Sequence, residues 1–222
     1  DHVKMMNNMV AKTIGIKTAA RCTTVKPAGT TSLVLGTSSG IHAWHNKYYV
    51  RRMRVGKNEA IYAYLAIHHP ELLEDDYFRP HDTSVISIPQ AAPKGSITRK
   101  ESAENLLDRI KKVANEWVKP GHRRGSNTHN VSATVSLKDD QWDSTGEWMW
   151  KNRDHYNGLA VLPHDGGTYV QAPFEDITKQ KYDEMSRTLQ EIDLTKVVEL
   201  EDKTDLSGEL ACAGGNCEIT SL

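Results

Sequence analysis

The longest periodic stretch of the chain predicts a helix over residues 99–118. Ala103, Leu106, Leu107, Ile110, Val113, Ala114 and Trp117 recur at i, i+3, i+4 and i+7, which gathers them on one apolar face. Thr98 and Glu101 have the spacing of a capping box at its start. The period then changes. In NVSATVSLK (130–138), Val131, Ala133, Val135 and Leu137 alternate with Ser132, Thr134, Ser136 and Lys138, which predicts a strand with one buried face. GLAVLP (158–163) is apolar without interruption and reads as a strand buried on both faces.

Weaker patterns fill in the remainder. Residues 3–16 read as a helix with Met, Val and Ile on one side, 58–67 as another, and about 140–153 as a Trp-rich one. RCTTVK (21–26), KYYVRRMRV (47–55) and TSVISIP (83–89) read as strands, the last ended by Pro89. After HDGG, TYVQAPFE reads as extended. Thr178 caps a final helix to about 191, with Ile177 and Tyr182 placed as a hydrophobic staple and Tyr182, Met185, Leu189 and Ile192 facing inward. Strands alternating with helices predict an α/β fold with parallel pairing, extending over residues 1–192. Residues 193–222 carry seven acidic and two basic side chains without a sustained period, and read as a flexible tail.

Composition narrows the class. A net charge of -1 over 222 residues gives no global argument for DNA, RNA or a membrane surface. No run approaches the ~18 apolar residues of a membrane span, and no apolar signal segment opens the chain. The first residue is Asp1 rather than Met, as expected of a fragment or a processed product. Three cysteines do not make a secreted disulfide framework. A cytoplasmic protein is expected, in which a C-x4-C pair binds metal or cycles redox state.

Three motifs carry candidate chemistry. In KPAGTTS (26–32) a strand ends, Pro27 fixes the backbone, and Gly29 permits close approach of a ligand. Ala28 lies between them, and Thr30, Thr31 and Ser32 add hydroxyls. Such a turn is either an anion-binding nest, helped by the dipole of a following helical turn, or an ordinary strand-to-helix connection. It is not a P-loop, because G-x-x-x-x-G-K is absent. In GTSSGIHAWH (36–45), His42 and His45 are i, i+3, yet no carboxylate or cysteine accompanies them locally, so loop packing competes with a metal site. Arg51, Arg52 and Arg54 suit either phosphate or a solvated strand face. Finally, Cys212 and Cys217 flank small, turn-prone residues that let the sulfurs meet at disulfide distance. Inert ends, a zinc half-site and thiol–disulfide exchange all fit that pair. Acidic neighbours such as Glu209 and Glu218 do not lower a thiol pKa, so any exchange relies on its target.

Taken together, VKPAGTTSLVLGTSSGIH (25–42), YYVRRMRV, NVSATVSLK, GLAVLPHDGGTYVQAPFEDIT (158–178) and the terminal C-x4-C resemble the last third of a ribonucleotide reductase catalytic chain, with the flavour of class II, the adenosylcobalamin-dependent type. The resemblance implies a ten-stranded α/β barrel, of which this chain supplies the late strands and helices. It implies deoxyribonucleotide biosynthesis for DNA replication: a thiyl radical abstracts the ribose 3′ hydrogen, the 2′-OH leaves, and a cysteine pair supplies the reducing equivalents. By the same resemblance Pro27, Ala28, Gly29, Thr30 and Thr31, extended by Ser32, hold the phosphates of a ribonucleoside di- or triphosphate. Cys212 and Cys217 reduce the barrel disulfide and are re-reduced by a thioredoxin-like partner.

The family uses five cysteines and a finger loop of the form Asn-x-Cys-x-Glu; this chain has three cysteines and no such loop. Cys22 matches none of the family positions and reads as structural. The D-x-H-x-x-G cobalamin motif is absent too, which the resembling class II enzymes do not need. The chain alone is therefore expected to be inactive, and to work with an N-terminal reductase portion. A class I large-subunit fragment and a stand-alone nucleotide-binding module without catalysis are the alternatives.

Overall fold

The computed structural model describes residues 1–164 and 169–201. In chain order the helices are α1 (His2–Ile14), α2 (Thr30–Val34), α3 (Ala60–His68), α4 (Ala103–Val113), α5 (Lys119–Gly121), α6 (Trp142–Lys151) and α7 (Lys179–Thr188). The strands are β1 (Tyr48–Gly56), β2 (Leu73–Asp75), β3 (Thr83–Ala91), β4 (Thr134–Leu137), β5 (Ala160–Pro163) and β6 (Phe174–Asp176). The chain weaves twice between two compact units. Residues 1–42 and 102–164 form the first, and 43–101 with 165–222 the second.

The first unit has the parallel pairing expected of an α/β fold. β4 and β5 run parallel, Thr134 opposite Ala160 and Leu137 opposite Pro163. Val25 joins the other side of that strand through a parallel bridge to Val131. The Val25 amide donates to the Asn130 carbonyl at 3.1 Å and the Ser132 amide to the Val25 carbonyl at 2.8 Å. RCTTVK thus makes one bridge rather than the strand expected of its β-branched residues. The alternation in 130–138 is realised: Val131, Ala133, Val135 and Leu137 are all buried. They pack against Leu106, Leu107 and Ile110 of α4. Burying each of the larger side chains contributes about 1.5–3 kcal/mol.

Two expectations fail in this unit for local reasons. β5 is not buried on both faces: Ala160 and Pro163 are exposed, and among the described residues it pairs only with β4. The helix expected over 99–118 starts at Ala103, where the Ser102 hydroxyl caps the Asn105 amide at 3.3 Å. Thr98 and Glu101 form a backbone turn instead, Glu101 N–H to Thr98 carbonyl. After Val113 the helix widens into a π turn, Ala114–Val118. The wider turn puts Val118 where a regular helix would put Trp117. Val118 is buried and Trp117 is 72% exposed.

The second unit is an antiparallel sheet of order β2-β3-β1-β6, a topology the alternation of strands and helices did not foretell. Its core joins Val55, Leu65, Leu72 and Ile86, with Leu189 and Ile192 packed on it. Pro89 does not end β3 but sits inside it, opposite Val50. The Ala92 amide bonds the Lys47 carbonyl, whereas the Arg52 amide and the Tyr48 carbonyl bond the β6 side. Even-numbered residues of β1 therefore turn their amides away from β3, and Pro89 faces Val50 at a position needing no N–H. Thr178 caps α7 by accepting from the Lys181 amide at 3.1 Å, as its position predicts.

The capping assignment is directly testable. By urea denaturation, Ser102→Ala is expected to cost about 1 kcal/mol. Thr98→Ala stays within about 0.5 kcal/mol of the wild type.

Candidate functional site

The candidate phosphate loop lies in the first unit, directly after the Val25 bridge. Gly29 has φ 58, a left-handed conformation that turns the chain, and α2 begins at the next residue. The loop is shorter than KPAGTTS suggests, because Thr30, Thr31 and Ser32 already belong to the helix. The Ser32 amide closes the turn on the Gly29 carbonyl at 3.1 Å. Ala28 and Thr31 are exposed, whereas Ser32 is buried and its carbonyl accepts from the Thr37 amide at 2.9 Å. The leading amides of a helix have no intrahelical acceptor, and here that of Ser32 is taken by the Gly29 carbonyl.

A second loop braces the first. The Gly29 amide donates to the Ser39 hydroxyl at 2.9 Å. Gly40, at φ 60, lies so close that an added Cβ would sit 3.2 Å from the Pro27 Cα and 3.4 Å from the Lys26 carbonyl oxygen. His42 secures the brace from behind. Its Nδ1 lies 3.0 Å from the Ser39 carbonyl, and its Nε2 accepts from the Thr134 amide at 3.1 Å. The proton therefore sits on Nδ1, and both ring nitrogens are used. Arg109 of α4 donates to the Ile41 carbonyl at 2.9 Å, tying the same segment to the core helix. Sequence reasoning missed Ser39 and Gly40 as partners of the loop. The only signal was a glycine between polar residues in SSGIH, which does not name what it packs against.

The other candidates resolve into packing. His45, in the second unit, stacks on Phe174 at 5.0 Å with its Nε2 3.0 Å from Asp176 Oδ1. Burial, and then the positive charge of Arg99, lower its pKa to about 4. The loop-packing reading of both histidines thus holds. The three arginines of β1 are neither solvated nor open to phosphate. Arg51 lies under the Phe174 ring at 4.5 Å and donates to the Pro173 carbonyl. Arg52 pairs with Glu74 and Glu175, and Arg54 with Asp76 at 2.8 Å. Cys22 lies part-buried with the Asn7 amide group 3.7 Å from its sulfur. Cys212 and Cys217 lie outside the described residues, as do most of the segment expected to be a tail and residues 165–168. Among the described residues no helix is long and apolar enough to cross a membrane.

With this geometry in hand, comparison with known proteins places the chain in two steps. Its fold resembles part of a crystal structure of a B12-dependent, class II ribonucleotide reductase, with a TM-score of 0.62 and 23% identity, over 83% of this chain and 25% of that one. Curated relatives are similar in sequence. The adenosylcobalamin-dependent ribonucleoside-triphosphate reductase of Lactobacillus leichmannii is 26% identical over 219 residues, covering 94% of this chain and 28% of that protein. The enzyme of the same name from Euglena gracilis is 25% identical over 219 residues, with the same coverage. A probable one from Dictyostelium discoideum is 26% identical over 238 residues, covering 98% of this chain and 28% of its own. No family model matches. The chain is thus similar, over nearly all its length, to a C-terminal portion of these reductases, and it spans little more than a quarter of their length.

Two measurements test the local architecture. Gly40→Ala must strain its φ and displace Pro27, whereas Gly36→Ala, at φ 64 with open space around it, meets only the backbone cost. By urea denaturation Gly36→Ala is expected to lose about 1 kcal/mol and Gly40→Ala measurably more. The second concerns pH. With a folded pKa near 4 against an ordinary 6.5, the unfolded chain takes up the His45 proton first as pH falls. The stability His45 permits is complete above about pH 6.5 and is lost between there and about pH 4, by about 3 kcal/mol. His45→Gln is expected to lose correspondingly less stability than the wild type on acidification.

Proposed function

We propose that this chain supplies the C-terminal portion of an adenosylcobalamin-dependent ribonucleotide reductase, completed by an N-terminal portion carrying the radical cysteine. The observation that carries this reading is the similarity to enzymes of that name along 94% of the chain. The open surfaces of the first unit agree with an incomplete assembly. Val3, Met5, Met9, Val10 and Ile14 of α1 are all at least half exposed, and among the described residues β5 has no strand on its outer edge. Such apolar surface marks an interaction site. In this reading the two portions close a ten-stranded α/β barrel.

The substrate is a ribonucleoside triphosphate, as in the names of the relatives, and its phosphates lie on the turn Pro27–Ser32. Ala28 and Thr31 are the exposed part of that turn, with the opening amides of α2 as donors. The Gly29 amide is occupied by Ser39, so this residue shapes the turn rather than meeting the anion. Buried Ser32 fixes its base. Preorganised donors of this kind hold the nucleotide without reorganising during reaction.

Adenosylcobalamin supplies the initiating radical when bound. Neither of the two histidines of GTSSGIHAWH is placed to hold it: both nitrogens of His42 are engaged, and His45 is packed against Phe174 and Asp176.

Cys212 and Cys217 act as a dithiol. One thiolate attacks the barrel disulfide formed in turnover, and the second resolves the mixed disulfide. Two thiols are oxidised to one disulfide as the barrel pair is reduced to two thiols. A thioredoxin-like dithiol then returns two electrons and two protons. The reaction belongs in the cytoplasm, where such reductants work.

The test combines this chain with an N-terminal portion of a class II reductase, adenosylcobalamin, a reductant and a ribonucleoside triphosphate. Deoxynucleotide is the expected product. Cys212→Ser and Cys217→Ser should abolish turnover with thioredoxin yet retain part of it with a small dithiol. A verified complex without product overturns the assignment, and equal turnover of wild type and variants with thioredoxin overturns the shuttle.

A further inference from the structure

The first unit holds a second concave feature that the reading above does not use. A cleft of about 1060 Å³ opens between the start of α1, residues 18–23 and residues 116–124. Its fixed charges are Lys4, Arg21, Arg123 and Arg124 against Asp1 and Glu116, a basic excess on a chain of net charge -1. The cleft lies at the opposite strand ends from the phosphate loop. Thr23 and His129, which line it, are 3.4 Å apart where the bridged strands enter the sheet, whereas Pro27–Ser32 follow where the first of them leaves. At a strand's rise, Thr23 and Gly29 are separated by roughly 20 Å of chain. The two features are distinct.

The cleft is organised by its own backbone. Arg21 donates to the Ala20 carbonyl at 2.6 Å and to the Arg124 carbonyl at 3.4 Å, and its buried Nε has no acceptor. Arg123 donates to the Pro120 carbonyl at 2.8 Å, and the His122 ring contacts the Gly125 carbonyl at 2.8 Å, which folds residues 120–125 on themselves. The charged groups of Lys4 and Arg124 have no protein partner among the described residues. The π turn adds the remaining component, for it pushes the Trp117 indole out of the core and onto the cleft wall.

We propose that this cleft binds a nucleoside polyphosphate, with the base stacked on Trp117 and the phosphates met by Lys4, Arg123 and Arg124. The chemistry is complementary on each side. An exposed indole offers a π face to any base, guanidinium groups suit phosphate oxygens, and the volume matches a single small ligand rather than a polymer track.

The experiment is calorimetry of the 222-residue chain with ATP at low salt, with adenosine and inorganic tripolyphosphate as separate arms. ATP is expected to bind at least tenfold more tightly than either part. The double variant Arg123→Ala, Arg124→Ala should weaken ATP at least tenfold, and Trp117→Ala at least threefold. Lys4→Glu, on the exposed surface of α1, weakens it without touching the loop. Trp150→Ala, equally exposed but outside the cleft, leaves it unchanged. Absence of ATP binding, binding indifferent to the cleft variants, tripolyphosphate binding equal to ATP, or preference for a single-stranded oligonucleotide would each overturn the proposal. The assay needs no N-terminal portion, so its outcome is independent of the reductase assignment.

Discussion

The parallel pairing of Val25 with Val131 is the contact on which the first unit depends. It is a single bridge, held by two backbone hydrogen bonds at 3.1 and 2.8 Å, yet it joins segments more than a hundred residues apart. Asn130 extends it. Its side chain exchanges hydrogen bonds with Gly158 on the far side, so that one residue links the strand before the candidate loop to the segment entering β5. Lys26 reinforces the same join through Ser132 at 3.0 Å. The turn at Gly29 inherits its position from this bridge. Without it the loop would be located by side-chain ties such as Lys26–Ser132 and by the packing of Ser39 and Gly40.

The chain order explains why this matters. Residues 43–101 leave the first unit, build most of the antiparallel sheet of the second, and return at Ser102. Every contact between 1–42 and 102–164 must close across that excursion. Loop closure grows only slowly in cost with length, so a few well-placed bonds suffice to make such contacts stable. The hydrophobic face of α4 against Val131, Ala133, Val135 and Leu137 supplies the larger part, and the bridge supplies the register.

Legibility followed periodicity. The buried face of 130–138 was readable to the residue, because strict alternation admits one answer, although the strand itself spans only Thr134–Leu137. The cap of α7 was equally plain, with Thr178 at a clear boundary. Where two signals competed, sequence misled. The capping-box spacing pointed to Thr98 and Glu101, whereas the helix takes its cap from Ser102. Trp117 fits a 3.6-residue repeat, and only the widened turn moved it out. The β5 run is apolar whether one face or two are covered, so its pattern carries no information on its neighbours. Within the candidate site the turn at Gly29 was legible, whereas its brace was not, since neither Ser39 nor Gly40 announces a partner ten residues away. The β1 arginines were opaque for a related reason: the carboxylate partners of Arg52 and Arg54 lie on β2, β6 and the loop after β2, which no local spacing connects.

Pro89 has a consequence for the second unit. It is buried within β3, paired with Val50 at a position where the ladder to β1 asks for no donor. β2 pairs with β3 only from Ser84 to Ile86, so the missing N–H breaks no ladder bond to β2 either. A ring that locks φ at such a place stiffens the strand without removing a hydrogen bond from its sheet.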